Sequence, residues 1–511
     1  WPMGEGEAAQ ALAAWHLCQG AASPTHSPLL LSADFILFSL FGANDFVARL
    51  PLALLGTILA LLPYLLRRRL GRIGALAASA ILALSPSALY FSRHLGSEMA
   101  VATCALASVC WLFGYLDERK SAYLHLGVAS LALALSAGSE AYTFLVVLAV
   151  CAFFSPFSKR WKEVRWHSLA VTFIACFVLA STCFLLNPSG LGSAADLVPT
   201  WLGSFKLQVG SWYHNLLLLL IYEPLVLTFG LTEAIQRLRH REDFGTFLAY
   251  WAGGAFLLSN RSESEGDFLL VLVPLALLTG SFLERLLTRV KRKEGFFLAA
   301  AVPLLVSAFL ELAGYSLVGQ SVYLIWAAAA FLLVVALAAL YRIWFGLRPA
   351  LVGVGLALLL VLGTLTLGVS LNLNYRRACD PREAMASHPT SLCIFDLLAT
   401  LERASSQRVG DRHLIGITVH RGTGPVLAWY LRDFPNTRFV DELPSDVATP
   451  VVIAPEGVPV AGDYVGQDFV PRASWTPQGL TWPGRMRWLL YRQAATPVQT
   501  DKVVLWMKKE Q

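Results

Sequence analysis

Six short loops hold nearly all of the loop-borne positive charge of this 511-residue chain, and they alternate with loops that hold almost none. The basic set is Arg67-Arg68-Arg69 with Arg72, Arg119-Lys120, Lys159-Arg160 with Lys162 and Arg165, Arg237/Arg239/Arg241, the run from Arg285 to Lys293, and Arg342 with Arg348. Between them lie the turns 93–98, 187–212, 261–267 and 315–321, whose only basic residues are Arg93, Lys206 and Arg261. Lys and Arg collect in loops that stay cytoplasmic, so the alternation predicts both a multi-span membrane protein and its orientation.

The segments between these loops are long enough for that reading. With 56% hydrophobic and 14% charged residues the chain is too apolar for a soluble fold. Runs such as 349–371 exceed the roughly 20 residues a helix needs to cross a bilayer. This criterion gives about twelve spans: 46–66, 73–92, 99–116, 122–138, 141–155, 168–186, 213–231, 244–260, 268–284, 296–314, 322–341 and 349–371. An even number starting outside ends outside, which places 376–511 in the exoplasmic compartment. The net charge of +6 comes largely from the cytoplasmic loops and signals contact with anionic membrane lipids, not with nucleic acid.

Three blocks follow. Residues 1–45 form a first outer loop: a helix over Glu7 to Cys18, then an apolar run at 29–41 that carries Asp34, too short to span and expected to lie at the interface. Residues 46–375 form the transmembrane core, with 187–212 a long outer loop containing Trp201 and Trp212. Residues 376–511 read as a small α/β domain: helices in CIFDLLATLERA and GPVLAWYLRDF, strands in HLIGITVH, TRFVDEL, PVVIAPE, RWLLYRQ and KVVLWMK. Of the exoplasmic cysteines Cys18, Cys379 and Cys393, the last two are the favoured disulfide pair. Tyr222-Glu223-Pro224 reads as a structural turn within a span, and Trp251 and Trp326 as belt or packing residues.

Carboxylates cluster on the outer side: Glu5 and Glu7, Glu98, Glu140, and Glu263, Glu265 and Asp267, with His26 and Arg93 on the same face. Charges in or beside spans are costly, so a cluster facing one side is informative. Paired acids around an outward cavity suit a general base and a cation site, whereas any one of them alone could simply solvate its loop.

These residues lie in stretches that resemble a known family. SRHLGSEM after ALSPSALYF, the loop THSPLLL, LFGANDFVARLPLALLG, PYLLRRRLGRIGALAA and the tail AWYLRDFPNTRF…PVVIAPE look like a GT-C-fold membrane glycosyltransferase. The resemblance is closest to the prokaryotic branch near the lipid A aminoarabinose transferases and protein O-mannosyltransferases, which includes flippase-activity-associated proteins. It covers essentially the whole chain, with 24–99 its most specific block. Family members carry thirteen spans, which implies one further helix before Trp1.

The resemblance implies transfer of a sugar from a polyprenyl-phosphate-linked donor to a glycan, lipid or protein acceptor at the outer face of a prokaryotic plasma membrane. The family's catalytic acidic dipeptide falls on Gly6-Glu7, so only its Glu is present, with Glu5 as a substitute. The second-loop acid maps to Glu98, the first-loop histidine to His26, and the acid after the fifth span to Glu140, preceded by Ser139 instead of Lys. The loop SNRSESEGDF lacks the Lys and Pro-Trp of relatives. An acceptor hydroxyl must lose its proton to a carboxylate. The departing phosphate needs positive charge, for which Arg93 and Arg261 are the candidates. The paired acids make a divalent cation the one candidate cofactor, with Glu98 and Glu7 as its candidate ligands. A second reading from the altered loops is a silent GT-C relative serving as a structural subunit beside other membrane subunits. A third, a transporter or flippase component, fits the scarcity of charge inside the spans less well.

Overall fold

The apolar runs form helices whose ends are set by residues readable in the sequence. The computed structural model describes residues 1–21, 25–154, 165–205, 214–240, 242–259, 267–290, 294–385, 389–444, 449–477, 479–494 and 496–509. Helix α1 (Glu5–Cys18) starts with Gly4 N–H donating to Glu7 Oε2 at 2.8 Å, and α2 (Pro28–Phe41) starts on a proline whose missing N–H costs nothing in a first turn. Helix α3 (Asp45–Leu61) is capped by Asn44, whose side chain accepts from the N–H groups of Phe46 and Val47 at 3.1 and 2.9 Å. The 14 residues of α2 fall short of a bilayer crossing, in keeping with the sequence.

Among the described residues six helices are long and apolar enough to cross a membrane: Asp45–Leu70, Ser97–Glu118, Phe268–Leu287, Glu294–Val318, Ser321–Phe345 and Leu347–Arg376. A seventh is the pair Asn215–Tyr222 and Pro224–His240, bent by 112°. Other expected spans are shorter helices of 10–17 residues, such as Arg72–Leu84, Ser121–Ala137 and Trp166–Ser181. Two of the expected spans are broken for one shared reason. Run 73–92 stops at Ser85, which caps the short Pro86–Phe91 helix, and run 213–231 kinks at Pro224. Buried Glu223 joins the two breaks, accepting from Ser85 Oγ at 2.5 Å and from Ser87 N–H at 3.1 Å. Phe268–Leu287 lies at the centre, nearly all of it buried. Its Gly280 meets Gly74 of Arg72–Leu84 so closely that a Cβ on Gly280 would stand 2.4 Å from the Gly74 carbonyl oxygen. Small residues at that crossing let the two backbones touch.

Ser97–Glu118 measures about 33 Å at 1.5 Å per residue. Its far end meets the basic loops, with Arg68 Nη1 at 2.9 Å from Glu118 and Arg69 paired with Asp117. Its near end carries Glu98, on the side where the C-terminal domain sits. The basic loop and the acidic cluster therefore occupy opposite ends of one helix.

The C-terminal domain is a five-stranded sheet, order β2-β1-β3-β5-β4, made of β1 (Ile417–His420), β2 (Thr437–Val440), β3 (Val451–Pro455), β4 (Tyr464–Ser474) and β5 (Gln499–Lys508). Strands β2, β1 and β3 run parallel, while β5 is antiparallel to both β3 and β4. The helices Cys393–Val409 and Pro425–Tyr430 are where the sequence puts them. RWLLYRQ, expected as a strand, instead belongs to the helix Trp482–Tyr491, started by Pro483 in its first turn. Trp488 of that helix is buried beside Trp475, and the helix packs against the long apolar helix Glu294–Val318. The 187–212 loop is also more regular than expected, since Gly190–Gly203 is helical and Trp201 Nε1 donates to Thr143 Oγ1 at 3.0 Å. Trp212 lies outside the described residues, Trp251 is core, and Trp326 is exposed. Cys379 and Cys393 are free thiols, so the expected disulfide is not formed.

The domain is fastened to the helices at separate points. Asp45, at the start of α3, accepts from Trp429 Nε1 at 2.7 Å and Tyr430 OH at 2.8 Å. Glu383 accepts from Tyr222 OH at 2.8 Å and Arg492 Nε at 2.9 Å, all three buried.

Candidate active site

Glu7 occupies the first turn of α1, and the capping geometry that starts the helix turns its carboxylate back over Gly4. It accepts four hydrogen bonds: Gly4 N–H at 2.8 Å and Arg49 Nη2 at 2.7 Å on Oε2, Leu95 N–H at 2.8 Å and Arg49 Nε at 2.9 Å on Oε1. This side-on pairing uses the Nε–Nη2 edge of a guanidinium that sits early in α3. Burial by itself disfavours the charged carboxylate; the charges of His94 and Arg49 and the hydrogen bonds from Arg49 and Gly4 outweigh it and bring the pKa down to about 2. Burial pulls His94 below its ordinary value, whereas Arg49 keeps its charge at every pH the fold meets and holds Glu7 ionised. His94 Nδ1 lies 3.0 Å from the Tyr90 carbonyl oxygen. A carbonyl only accepts, so Nδ1 carries the proton and Nε2 of the neutral ring is an acceptor.

A sign follows for acid stability. The folded pKa of Glu7 lies below its ordinary 4.5, so the ionised group stabilises the fold above about pH 4.5, and that contribution fades as pH falls toward 2. The size is about 3 kcal/mol for this buried group. Thermal unfolding of the solubilised protein is expected to fall between about pH 5 and 2.5, with a visibly flatter profile in Glu7→Gln. Identical profiles would remove Glu7 from the acid response.

Glu7 opens onto a cavity of about 370 Å³ whose lining includes Glu5, Gly6, Arg49, Arg93, His94 and Glu98. Glu5 is paired with Arg472 of the C-terminal domain. Arg93 donates to the Asn374 carbonyl at 2.9 Å and lies 4.5 Å over the Tyr375 ring, which fixes its charge at the rim. Glu98 stands in the first turn of Ser97–Glu118, where backbone N–H groups favour a negative side chain. Among the described residues it forms no ion pair. Glu140 is one layer back, its Oε2 accepting from Ser97 Oγ at 3.1 Å.

The structure thus brings Glu5, Glu7, Glu98 and Arg93 to one cavity, with Glu140 behind it. His26 is exposed and does not line it, because Gln10 Nε2 bonds the Ser27 carbonyl at 3.0 Å and ties that turn to the flank of α1. Arg261, Glu263 and Glu265 lie outside the described residues. Arg49, His94 and Arg472, none of them expected from the sequence, complete the surroundings of these carboxylates. Arg49 carried a usable signal, a lone arginine inside an apolar run; Arg472 carried none, being brought in by the fold.

As a cation site the arrangement fits poorly. Both Glu7 oxygens are already engaged, and among the described residues no three His, Cys, Asp or Glu side chains are grouped to hold a metal ion.

Known proteins share this architecture. The profile of the family described as dolichyl-phosphate-mannose-protein mannosyltransferase matches residues 25–184. No curated protein matches the sequence. The crystal structure of ArnT from Cupriavidus metallidurans bound to undecaprenyl phosphate superposes with a TM-score of 0.57 at 14% identity, over 99% of this chain and 94% of that one. The apo state of the same enzyme gives 0.54 at 14% identity over the same shares. The chain is a multi-span membrane protein with the GT-C fold of membrane glycosyltransferases.

Proposed function

We propose that this protein moves a sugar from a polyprenyl-phosphate-linked donor to an acceptor hydroxyl at the outer face of a prokaryotic inner membrane. The observation that carries the reading is the division of labour among the cavity carboxylates. Glu7 is held by Arg49 and Glu5 by Arg472, which leaves Glu98 as the cavity carboxylate that, among the described residues, has no cation paired with it. A base must have an oxygen to spare, so Glu98 takes the acceptor proton as the acceptor oxygen bonds to the anomeric carbon. On the opposite side of that carbon the bond to the phosphate oxygen breaks, and Arg93 faces the departing polyprenyl phosphate. One displacement of this kind inverts the anomeric configuration. The ArnT structure was solved with undecaprenyl phosphate, which supports a lipid-linked donor here.

The orientation belongs to the same reading. Basic loops at the inner leaflet put the cavity and residues 376–511 outside, above a core over 46–375 and a first outer loop over 1–45.

The direct test is release of polyprenyl phosphate from a polyprenyl-phosphate sugar by the full chain in lipid nanodiscs. Gly6 sharpens it. A Cβ there would meet nothing within 4 Å, so Gly6→Asp places a second acid in open space beside Glu7 without a clash. Turnover is expected to rise by about tenfold, equivalent to about 1.4 kcal/mol of barrier. No turnover in either the natural chain or Gly6→Asp would reject the sugar-transfer reading.

A further inference from the structure

The C-terminal domain holds a cavity of its own, of about 350 Å³. It opens where the chain leaves the carboxyl ends of β1 and β3: Gly422 and Thr423 follow β1, and Pro455 and Glu456 close β3. From β1 the chain goes on to β2 at one edge of the sheet; from β3 it goes on toward β5 and β4 at the other. Divergence of this kind leaves a crevice between neighbouring parallel strands, the place where open α/β sheets take ligands. The volume falls within the ~300–1,000 Å³ of small-molecule sites.

The lining narrows the chemistry. One wall is apolar, with Leu397 and Val426 among its residues. The other is charged but balanced, with Lys502 Nζ 3.3 Å from Glu456 and Arg472 3.7 Å from Asp501. Each cation already faces a carboxylate, so an anionic ligand finds no uncompensated charge. A ring with one apolar face and several hydroxyls fits both walls, because guanidinium and carboxylate groups side by side offer paired donors and acceptors.

This cavity and the reactive one share a wall. Thr390 lines both, its hydroxyl donating to the Met3 carbonyl at 2.7 Å. Arg472 of the upper cavity is the partner of Glu5 in the lower. Gly424, at φ +85°, permits that contact, since a Cβ on it would stand 2.9 Å from Glu5 Oε1.

We propose that the cavity of the C-terminal domain binds a neutral saccharide, the sugar portion of the acceptor, next to the Glu5–Arg472 wall of the reactive chamber. Its role as acceptor rests on the sugar-transfer reading; the binding itself does not. The test is titration of the full chain in nanodiscs with maltotriose, chitobiose and mannobiose, and with inorganic phosphate, followed by isothermal titration calorimetry. At least one neutral saccharide is expected to bind and inorganic phosphate not to. Thr423→Trp, which narrows the mouth, and Lys502→Ala, which breaks the balanced pair, are each expected to weaken binding about tenfold while thermal unfolding stays as in the natural chain. Failure of all three saccharides, binding insensitive to both variants, or preferential binding of phosphate would each overturn the proposal. Saccharide binding without any turnover of the lipid-linked donor would keep this site and remove the sugar-transfer reading. Turnover without saccharide binding would do the reverse.

Discussion

Glu98→Gln is expected to slow sugar transfer by about 10²–10⁴-fold, the range lost when a positioned general base is removed. The substitution keeps size and shape while removing the capacity to accept a proton. The fall should appear in kcat with KM for the lipid-linked donor little changed, because the donor is held by its phosphate and its lipid, not by this carboxylate. Glu7→Gln is the informative comparison. Glu7 has a pKa of about 2 and four donors on its two oxygens, so it is too weakly basic and too fully engaged to take a proton in the transition state. Its loss should act on stability and on the placement of α1 against α3. If Glu98→Gln turns over at the natural rate while Glu7→Gln does not, the base has been assigned to the wrong glutamate.

Arg49→Met is expected to destabilise the protein by about 3–5 kcal/mol, the cost of stranding a buried partner charge. The Glu7 side chain is 7% exposed and that of Arg49 16%, so water cannot replace the lost guanidinium. Arg49 also bonds the Trp1 and Pro2 carbonyls at 2.9 and 3.1 Å, so the segment leading into α1 loosens with it. The double variant Arg49→Met/Glu7→Gln should recover much of the loss, because no unpaired charge then remains. A thermal-unfolding cycle over the four proteins measures the coupling. A coupling energy near zero would mean that the pair is solvated in the membrane-embedded protein and does not hold the cavity together.

The chain's sequence carried its architecture better than its site. Alternating basic loops and apolar runs are signals tens of residues long, and the Asp45–Leu70, Glu294–Val318 and Ser321–Phe345 helices match the runs that predicted them. Errors fell where local pattern is ambiguous. RWLLYRQ has the aromatic and apolar content of a strand, yet Pro483 pre-sets a helical first turn just before it. Strand β4 (YVGQDFVPRAS) was missed because its glycine and proline interrupt the alternation and because it lies at the edge of the sheet beside β5. Glu5, Glu7, Glu98 and Arg93 could be named in advance, since polar residues at the ends of apolar runs stand out. Which carboxylate is free could not, because Arg49 and Arg472 reach Glu7 and Glu5 from 42 and 467 positions along the chain.

The attachments of the C-terminal domain bear on how a lipid reaches the cavity. Lifting that domain away would require breaking the Asp45 contacts to Trp429 and Tyr430, the Tyr222–Glu383 hydrogen bond and the Thr390–Met3 bond together. Tyr222 and Glu383 are both buried, so breaking their hydrogen bond at each hinge-like opening would be costly. For the lipid-linked donor proposed above, the cheaper path runs sideways from the bilayer between helices while the roof stays shut. Gating of the reaction then falls to the lipid-facing helices, and membrane thickness and fluidity should tune its rate more strongly than anything bound to the roof's outer surface.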